Sequence, residues 1–238
     1  MIQSSKRTSN KILKVAFACA LAILFLFAGP WAPKGFAARY APIDRSSYAH
    51  DQIDLDVPCF DQYAAGLPNG CEAAALTNVL NYYGFGLDES YLADNWIPRS
   101  DSDWIDSYLG NPHDDSGNSI AAPGLTDAAN AFLKANGSPL RAKELTGMPL
   151  ADLLHYVDEG APVIIYATID MRPMGRIYLG DESTYFAPVN SHTVVIKGYD
   201  LARGEVYLSD SISGYTTWGI DWLSSIYTQR GSQALAIR

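Results

Sequence analysis

Three residues of this chain carry side chains that together could perform covalent acyl transfer: Cys71, His192 and Asp210. Cys71 follows the turn signal Asn69-Gly70 and opens an apolar run with helical spacing. Backbone N–H groups and the positive end of the dipole at a helix N-terminus favour the thiolate, which is the nucleophilic form of cysteine. His192 heads one β-branched run, and Asp210 ends another. A thiol, a base and a carboxylate that orients the base are what acyl transfer from cysteine requires.

Each of these residues also has a structural interpretation. In an oxidising compartment Cys71 could form a disulfide with Cys59, or it could be a small buried hydrophobic residue. His192 could be a packed strand histidine, and Asp210 could be a turn residue. Their joint occurrence in this order favours the catalytic interpretation. Cys59 lies in an extended apolar stretch, where a buried and unreactive cysteine is expected.

The first 37 residues have the features of an export signal. Four basic residues precede an apolar run from Val15 to Ala28, which has the length of a signal-peptide core and is short of the ~20 residues that a membrane span needs. Gly35 and Ala37 predict cleavage after Ala37. An uncleaved membrane anchor is the alternative, because extension of the run through Ala32 brings it closer to a spanning length. Either way the expected location is extracellular or at the cell surface.

Charge and length restrict the remaining chain. Without residues 1–37 it has 12 basic and 26 acidic residues, a net charge of −14. So acidic a protein is not expected to bind nucleic acid or anionic lipid. About 200 residues suffice for one domain, expected to be monomeric. Residues 38–54 are polar and lack periodicity, which predicts a linker, so the domain should span residues 55–238.

Helical patterns precede strand patterns along this domain. Apolar spacing predicts a helix from Cys71 to just before Gly84, and further helices over residues 87–96, 126–136 and 149–159. Strand compositions follow at residues 162–166, 193–199, 206–209 and 233–237. Helices followed by a sheet indicate an α+β domain. Residues 98–124 are predicted to form a long loop, of a length that is often functional.

The sequence lacks the patterns of other common catalysts. Its four histidines form no pair at the spacing of a zinc-binding helix, and its cysteines are too few for a structural zinc site. It contains no Gly-x-Ser-x-Gly elbow, phosphate loop or dinucleotide fingerprint. The aspartates of the 98–124 loop lack the EF-hand order, so they are expected to be a solvated surface. No metal and no cofactor are therefore expected.

Several segments in order carry a resemblance to a known family. They begin at Val57-Pro58 and Gln62 and continue with LPNGCEAAALTNVLNYYGF, LADLLHYVDEGAPVIIYATI, SHTVVIKGYD, VYLSDSISG and GSQALAI. Together these segments resemble the peptidase C39-like group of papain-related cysteine peptidases over roughly residues 55–238. The resemblance implies a papain-like cysteine peptidase fold, with N-terminal helices packed on an antiparallel β-sheet.

The resemblance also implies roles for individual residues. The Gly-Cys pair that opens a helix maps the nucleophile onto Cys71, and the pattern His-x-x-x-x-x-Gly-Tyr-Asp maps the base onto His192. The third residue maps onto Asp210, although the proline that follows it in the family is Ser211 here. An upstream glutamine maps onto Gln62, whose amide would form the oxyanion hole with the Cys71 backbone N–H.

The function implied by the resemblance is that of an exported cysteine peptidase or amidase that acts on a peptide or protein through a thioester acyl-enzyme. Two alternatives stay open. One is a catalytically inactive binding module that grips its ligand with the loop around Trp104 and Tyr108, and the other is a transpeptidase or acyltransferase. Substrate choice is expected to depend on residues 98–124 and 172–190, whose tyrosines and aspartates suggest a substrate with apolar and basic groups.

Overall fold

The computed structural model describes residues 43–180 and 185–238, and the predicted signal or anchor segment lies outside them. Within the described residues, no helix is both long enough and apolar enough to cross a membrane. The helices are α1 (Cys71–Tyr82), α2 (Tyr91–Asn95), α3 (Ala122–Ala135), α4 (Leu150–Asp158) and α5 (Ile220–Gln229). The strands are β1 (Gln52–Asp54), β2 (Arg99–Ser100), β3 (Tyr108–Leu109), β4 (Ala142–Glu144), β5 (Val163–Thr168), β6 (Ile177–Gly180), β7 (Phe186–Pro188), β8 (Ser191–Asp200), β9 (Glu205–Asp210), β10 (Gly214–Gly219) and β11 (Ala234–Ile237).

One antiparallel sheet of seven strands organises the fold. Its order is β10-β9-β8-β5-β11-β4, and β1 pairs with the end of β8. Alternate residues of β5 face opposite sides, as the pleat requires. Ile164 and Tyr166 pack in the same core as α1 and α3, whereas Val163 and Ile165 pack in the core of α4 and α5. Both faces of the central strands are covered, which explains why their sequences are almost continuously apolar.

Helix α1 lies in the interior and carries Cys71 at its first turn. Every residue from Cys71 to Leu80 is buried, as expected of a helix packed on several sides. The helix ends before Gly84, which has a φ of 86°. Glycine adopts this left-handed conformation without the steric cost that a side chain would bring. The predicted start and end of the helix are both confirmed.

The segment predicted as a loop, residues 98–124, contains regular structure. Strands β2 and β3 pair in parallel within it, and α3 already begins at Ala122. Thr126, where the sequence predicts this helix to begin, lies inside it, and its hydroxyl donates to the Ala122 carbonyl at 2.7 Å. The helix begins earlier because Pro123 occupies its first turn, where proline costs no hydrogen bond.

Residues 43–54, which we call the N-terminal arm, are packed on the domain and do not form a free linker. Strand β1 belongs to the main sheet, and the Asp158 carboxylate of α4 holds the preceding residues. It accepts hydrogen bonds from the Ala49 N–H at 2.6 Å, from the backbone N–H and ring of His50 at 3.1 and 2.8 Å, and from the Tyr199 hydroxyl at 2.6 Å. A polar sequence without periodicity could not reveal this anchor, because its acceptor lies 108 residues away along the chain.

Replacing Asp158 with asparagine is expected to lower the free energy of unfolding by about 2 kcal/mol at pH 7, since hydrogen bonds to a charged acceptor are lost. Burial opposes ionisation of Asp158, but the bonds from Tyr199, Ala49 and His50 outweigh it and lower the pKa. The stabilisation is therefore present above the unfolded carboxyl pKa of about 3.9 and is lost as the pH falls through the lower folded value. Urea unfolding at pH 7 and pH 3 measures this, with the exposed Asp152→Asn as control. If the two substitutions lower the free energy of unfolding equally at pH 7, Asp158 does not anchor the N-terminal arm.

Candidate active site

The first turn of α1 fixes the position of Cys71. The Gly70 N–H donates to the Leu67 carbonyl at 3.0 Å, closing a tight turn immediately before the helix. A Cβ at position 70 would lie 2.8 Å from the Cβ of Leu67. Position 70 therefore requires glycine for steric reasons, because any larger residue would displace the turn that positions the thiol.

His192 and Asp210 meet on adjacent strands of the main sheet. The Nε2 atom of His192, in β8, lies 2.7 Å from Oδ1 of Asp210, the last residue of β9, and both side chains are buried. The same Oδ1 accepts the backbone N–H groups of Ile212 and Ser213 at 2.8 and 3.1 Å. Burial opposes ionisation, but the bonds from His192 and from these N–H groups outweigh it and lower the pKa of Asp210. Asp210 is therefore a carboxylate that accepts the Nε2 proton.

This bond determines which nitrogen of His192 is free to act as a base. When Nε2–H donates to Asp210, the neutral ring keeps its lone pair on Nδ1. Nδ1 is buried and has no hydrogen-bond partner among residues 43–180 and 185–238. It can accept a proton from a neighbouring acid without breaking any other contact.

Cys71 and His192 line one cleft of about 310 Å³. Both segments predicted to set substrate choice contribute to its walls, the first through Gly117 and Asn118. The second contributes Tyr178 and residues 187–189; the other lining residues are Gln62, Tyr63, Pro68, Asn69, Ile169, Ser191 and Ile212. In the described part of the chain, no group of three or more His, Cys, Asp or Glu side chains is placed to hold a metal ion.

The electrostatic surroundings of Cys71 differ from the expectation for a helix N-terminus. Burial raises the pKa of the Cys71 thiol, and the adjacent Glu72 carboxylate raises it further. The neighbouring polar groups of Thr193 act in the opposite direction but do not compensate. The free protein therefore favours a protonated thiol at Cys71, and the dipole of α1 alone does not ionise it.

Glu72 is a site residue that no sequence motif indicates. Its side chain is buried in the first turn of α1, where Oε1 accepts from the Ser119 hydroxyl at 2.5 Å. The Cys71 Sγ donates to Oε2 at 3.3 Å. An acidic residue directly after the nucleophile, within an otherwise apolar run, was the available signal in the sequence.

Gln62 lines the same cleft, but its amide is engaged in the loop that precedes α1. Its Oε1 accepts from the Ser211 hydroxyl at 2.7 Å, and its Nε2 donates to the carbonyls of Leu67 and Pro68 at 3.2 and 3.1 Å. The structure thus places Gln62 in the same cleft as Cys71, with its amide nitrogen donating to two backbone carbonyls.

Two alternatives from the sequence are not supported by the contacts. Cys59 and Cys71 are both free thiols, and Cys59 donates to the Asp210 carbonyl at 3.3 Å. Tyr108 is buried, with its hydroxyl bonded to the Asn69 carbonyl, so it cannot grip a ligand at the surface. Trp104, in the same loop, is half-buried.

Comparisons with known proteins identify the family of this chain. A model of the Peptidase_C39 like family matches residues 54–235. The chain belongs to this family. The α+β papain-like fold predicted from the sequence, with helices packed on an antiparallel sheet, is confirmed.

Individual relatives of this chain are distant. The uncharacterized protein YvpB of Bacillus subtilis (strain 168) is 29% identical over 192 residues, covering 77% of this chain and 75% of YvpB. A Bacillus anthracis protein described as a C39-like peptidase has a crystal structure with a TM-score of 0.66 and 25% identity, covering 79% of this chain and 97% of that one. A double glycine motif protease from an AMS/PCAT transporter, solved with its leader peptide, has a TM-score of 0.44 and 19% identity, covering 77% and 91%.

Proposed function

We propose that this C39-like peptidase hydrolyses peptide or amide bonds through Cys71, His192 and Asp210. One observation carries the proposal. The His192 ring donates to Asp210 at 2.7 Å, and its Nδ1 has no other partner within the described residues, in the cleft that also contains Cys71. A fixed tautomer with an unengaged nitrogen in the same cleft as a thiol is the arrangement that general-base activation of cysteine needs.

The reaction follows from these positions. The Sγ–H bond of Cys71 breaks and its proton moves to Nδ1 of His192, leaving a thiolate that attacks the substrate carbonyl carbon. As the tetrahedral intermediate collapses, the imidazolium returns the proton to the leaving amine, and a thioester remains on Cys71. Water then gives a proton to Nδ1 while its oxygen attacks the thioester; the C–S bond breaks, the acid is released, and the imidazolium returns that proton to Sγ. Asp210 stabilises the imidazolium in both halves.

The negative charge that develops on the carbonyl oxygen needs donors. The Cys71 backbone N–H lies in the first turn of α1, where amide hydrogens have no carbonyl partner within the helix. Gln62 is the proposed second donor, and it must first share or release its bond to Leu67 or Pro68. One such donor is typically worth ~2.7 to 4 kcal/mol of transition-state stabilisation.

The cleft walls favour an uncharged peptide segment as substrate. Among the described residues, those that line the cleft include tyrosine, proline, alanine, valine and isoleucine, but no aspartate, glutamate, lysine or arginine. The basic substrate suggested by the sequence therefore has no acidic counterpart among these described lining residues. The proposed place of action is outside the membrane, on the basis of the apolar segment 15–28 alone.

The test is incubation of the full-length protein with a mixed peptide library, followed by mass spectrometry of products and of the protein. We expect cleavage by the wild type and by Cys59→Ala, none by Cys71→Ala, and a transient acyl adduct on the peptide that contains Cys71. Cys59→Ala is the matched control, because it removes a neighbouring thiol without removing the nucleophile. Cleavage by Cys71→Ala at the wild-type rate would exclude the proposed mechanism.

A further inference from the structure

The Cys71 thiol is hydrogen-bonded to an acceptor that catalysis does not need, Glu72, and not to His192, which lines the same cleft. Its Sγ donates to Glu72 Oε2 at 3.3 Å, while Nδ1 of His192 has no partner in the described part of the chain. Glu72 is 1% exposed, and its other oxygen is fixed by Ser119 at 2.5 Å. The carboxylate is therefore held in place as an acceptor for the thiol.

Repulsion between like charges explains what the contact between Cys71 and Glu72 does to the thiol. The peptidase mechanism requires a thiolate on Cys71, and a thiolate next to a Glu72 carboxylate is disfavoured by like-charge repulsion. A thiol that donates to the carboxylate is favoured. Ionisation of Cys71 by His192 becomes easier once Glu72 is neutral, because a protonated carboxyl can donate to the sulfur and does not repel it.

We propose that Glu72 is a positioning residue that holds Cys71 in a protonated resting form, competing with His192 for the thiol proton until Glu72 itself is protonated. This inference rests on the proposed function, since it describes how the same nucleophile is regulated. Activation moves the proton from Sγ to Nδ1 of His192, and the Glu72 carboxyl takes its own proton from solvent. Lowering the pH, within the range where the protein stays folded, protonates Glu72 and therefore favours the reactive thiolate form of Cys71.

The groups that act on Glu72 from neighbouring elements are consistent with this competition. They are Cys71 on the same helix and, from other elements, Tyr108 in β3, Tyr166 in β5, Tyr178 in β6 and Arg230 after α5. Burial raises the pKa of each tyrosine, so these hydroxyls stay neutral. Burial also raises the pKa of Glu72, whereas Ser119 and the positive charge of Arg230 act in the opposite direction. Arg230 is thus the one cation of this group that sustains a carboxylate at Glu72.

The test is the pH dependence of iodoacetamide alkylation of the full-length protein between pH 4 and pH 9, measured by mass spectrometry on the peptide that contains Cys71. We expect Glu72→Gln, which keeps the shape but not the charge, to shift the profile to lower pH by about one unit, with a rate roughly tenfold higher near neutral pH. Ser119→Ala keeps the carboxyl and removes a bond that favours its ionised form. Ser119→Ala should also shift the pH profile of alkylation to lower pH, but by less than Glu72→Gln does.

Controls separate this effect from loss of structure. Thermal melts establish that each variant is folded. The double variant Glu72→Gln/His192→Ala should lose the faster alkylation of Glu72→Gln. If that faster alkylation came from unfolding, it would not depend on His192, because an unfolded cysteine reacts independently of the histidine. A wild-type profile, or a slower reaction, in folded Glu72→Gln overturns the inference; if that variant does not fold, an unshifted profile in Ser119→Ala overturns it. If alkylation of wild-type Cys71 does not depend on His192, the proposed function fails instead, and the two failures are distinguishable.

Discussion

Replacing His192 with alanine is expected to lower kcat/KM for a peptide that the wild type cleaves by about 10⁴-fold. The His192 imidazole accepts the proton of the buried thiol and so makes it a nucleophile. Cys71 does not ionise by itself at neutral pH, since burial and Glu72 both raise its pKa. Without the imidazole no cation forms beside the sulfur, and the leaving amine receives no proton. The loss should appear in kcat at saturating peptide, measured by a continuous assay on a sequence found with the peptide library.

The control for this substitution is His155→Ala. His155 is a partly buried histidine that stacks on Tyr48 at a centroid distance of 4.1 Å and does not line the cleft. Its removal should change kcat/KM by less than about twofold. Since His192 is 1% exposed, a thermal melt must show that the alanine variant is folded at the assay temperature. A folded variant with less than a tenfold loss would show that His192 is not the base.

The parts of the structure that sequence patterns predict well are those set by local rules. Helix α1 has a turn before it, apolar residues at helical spacing and a glycine after it, so both of its ends were predictable. The central strands β5 and β8 are almost wholly buried, and a continuous β-branched run is the direct consequence of two covered faces. Such features depend on residues within one segment.

What the sequence concealed depends on contacts between distant segments. The N-terminal arm has no periodicity, yet it is anchored by a carboxylate in α4. Helix α5 and strand β10 follow β9 where no regular structure was predicted. Glu72 was visible, but only the fold shows that its second oxygen is fixed by Ser119, 47 residues downstream.

The candidate site shows the same division. A family pattern assigned Cys71, His192 and Asp210, and the fold brings His192 and Asp210 into contact and places Cys71 in the same cleft. The electrostatics could not be assigned in this way. The helix N-terminus predicts a lowered pKa for Cys71, whereas burial and the neighbouring carboxylate raise it. A dipole effect of typically 0.3–1 kcal/mol at exposed sites is smaller than the cost of desolvating a charge in the interior.

The largest effect on stability is expected at Arg230, a completely buried guanidinium directly after α5. Its Nη1 donates to the Phe186 carbonyl, and its Nε and Nη2 donate to the Ser191 hydroxyl at 3.2 and 3.1 Å. Its guanidinium carbon lies 5.4 Å from the ring centroids of Tyr166 and Phe186. One side chain thus ties β7, which lines the cleft, to the first residue of the strand that carries His192.

Arg230→Met is expected to lower the free energy of unfolding by about 3 to 5 kcal/mol, the range for removing one member of a set of buried charges. Burial lowers the pKa of Arg230 to about 10, so it is still a cation at neutral pH and offsets the Glu72 carboxylate. Methionine fills similar space but leaves the Phe186 carbonyl and Glu72 without that partner. Urea unfolding monitored by tryptophan fluorescence measures the change.

The pH dependence of this loss has a definite sign. Burial raises the pKa of Glu72 in the folded state above its ordinary value of 4.5. Ionisation of Glu72 therefore lowers the free energy of unfolding increasingly as the pH rises above that value. Without Arg230 this penalty is larger, so the difference in the free energy of unfolding between Arg230→Met and wild type should grow between pH 5 and pH 8. Arg238→Met is the control, since Arg238 is 52% exposed and pairs with Glu159 at 2.7 Å, an arrangement worth less than about 1 kcal/mol. If both methionine variants lose the same stability at every pH, the buried guanidinium does not support the charge at Glu72.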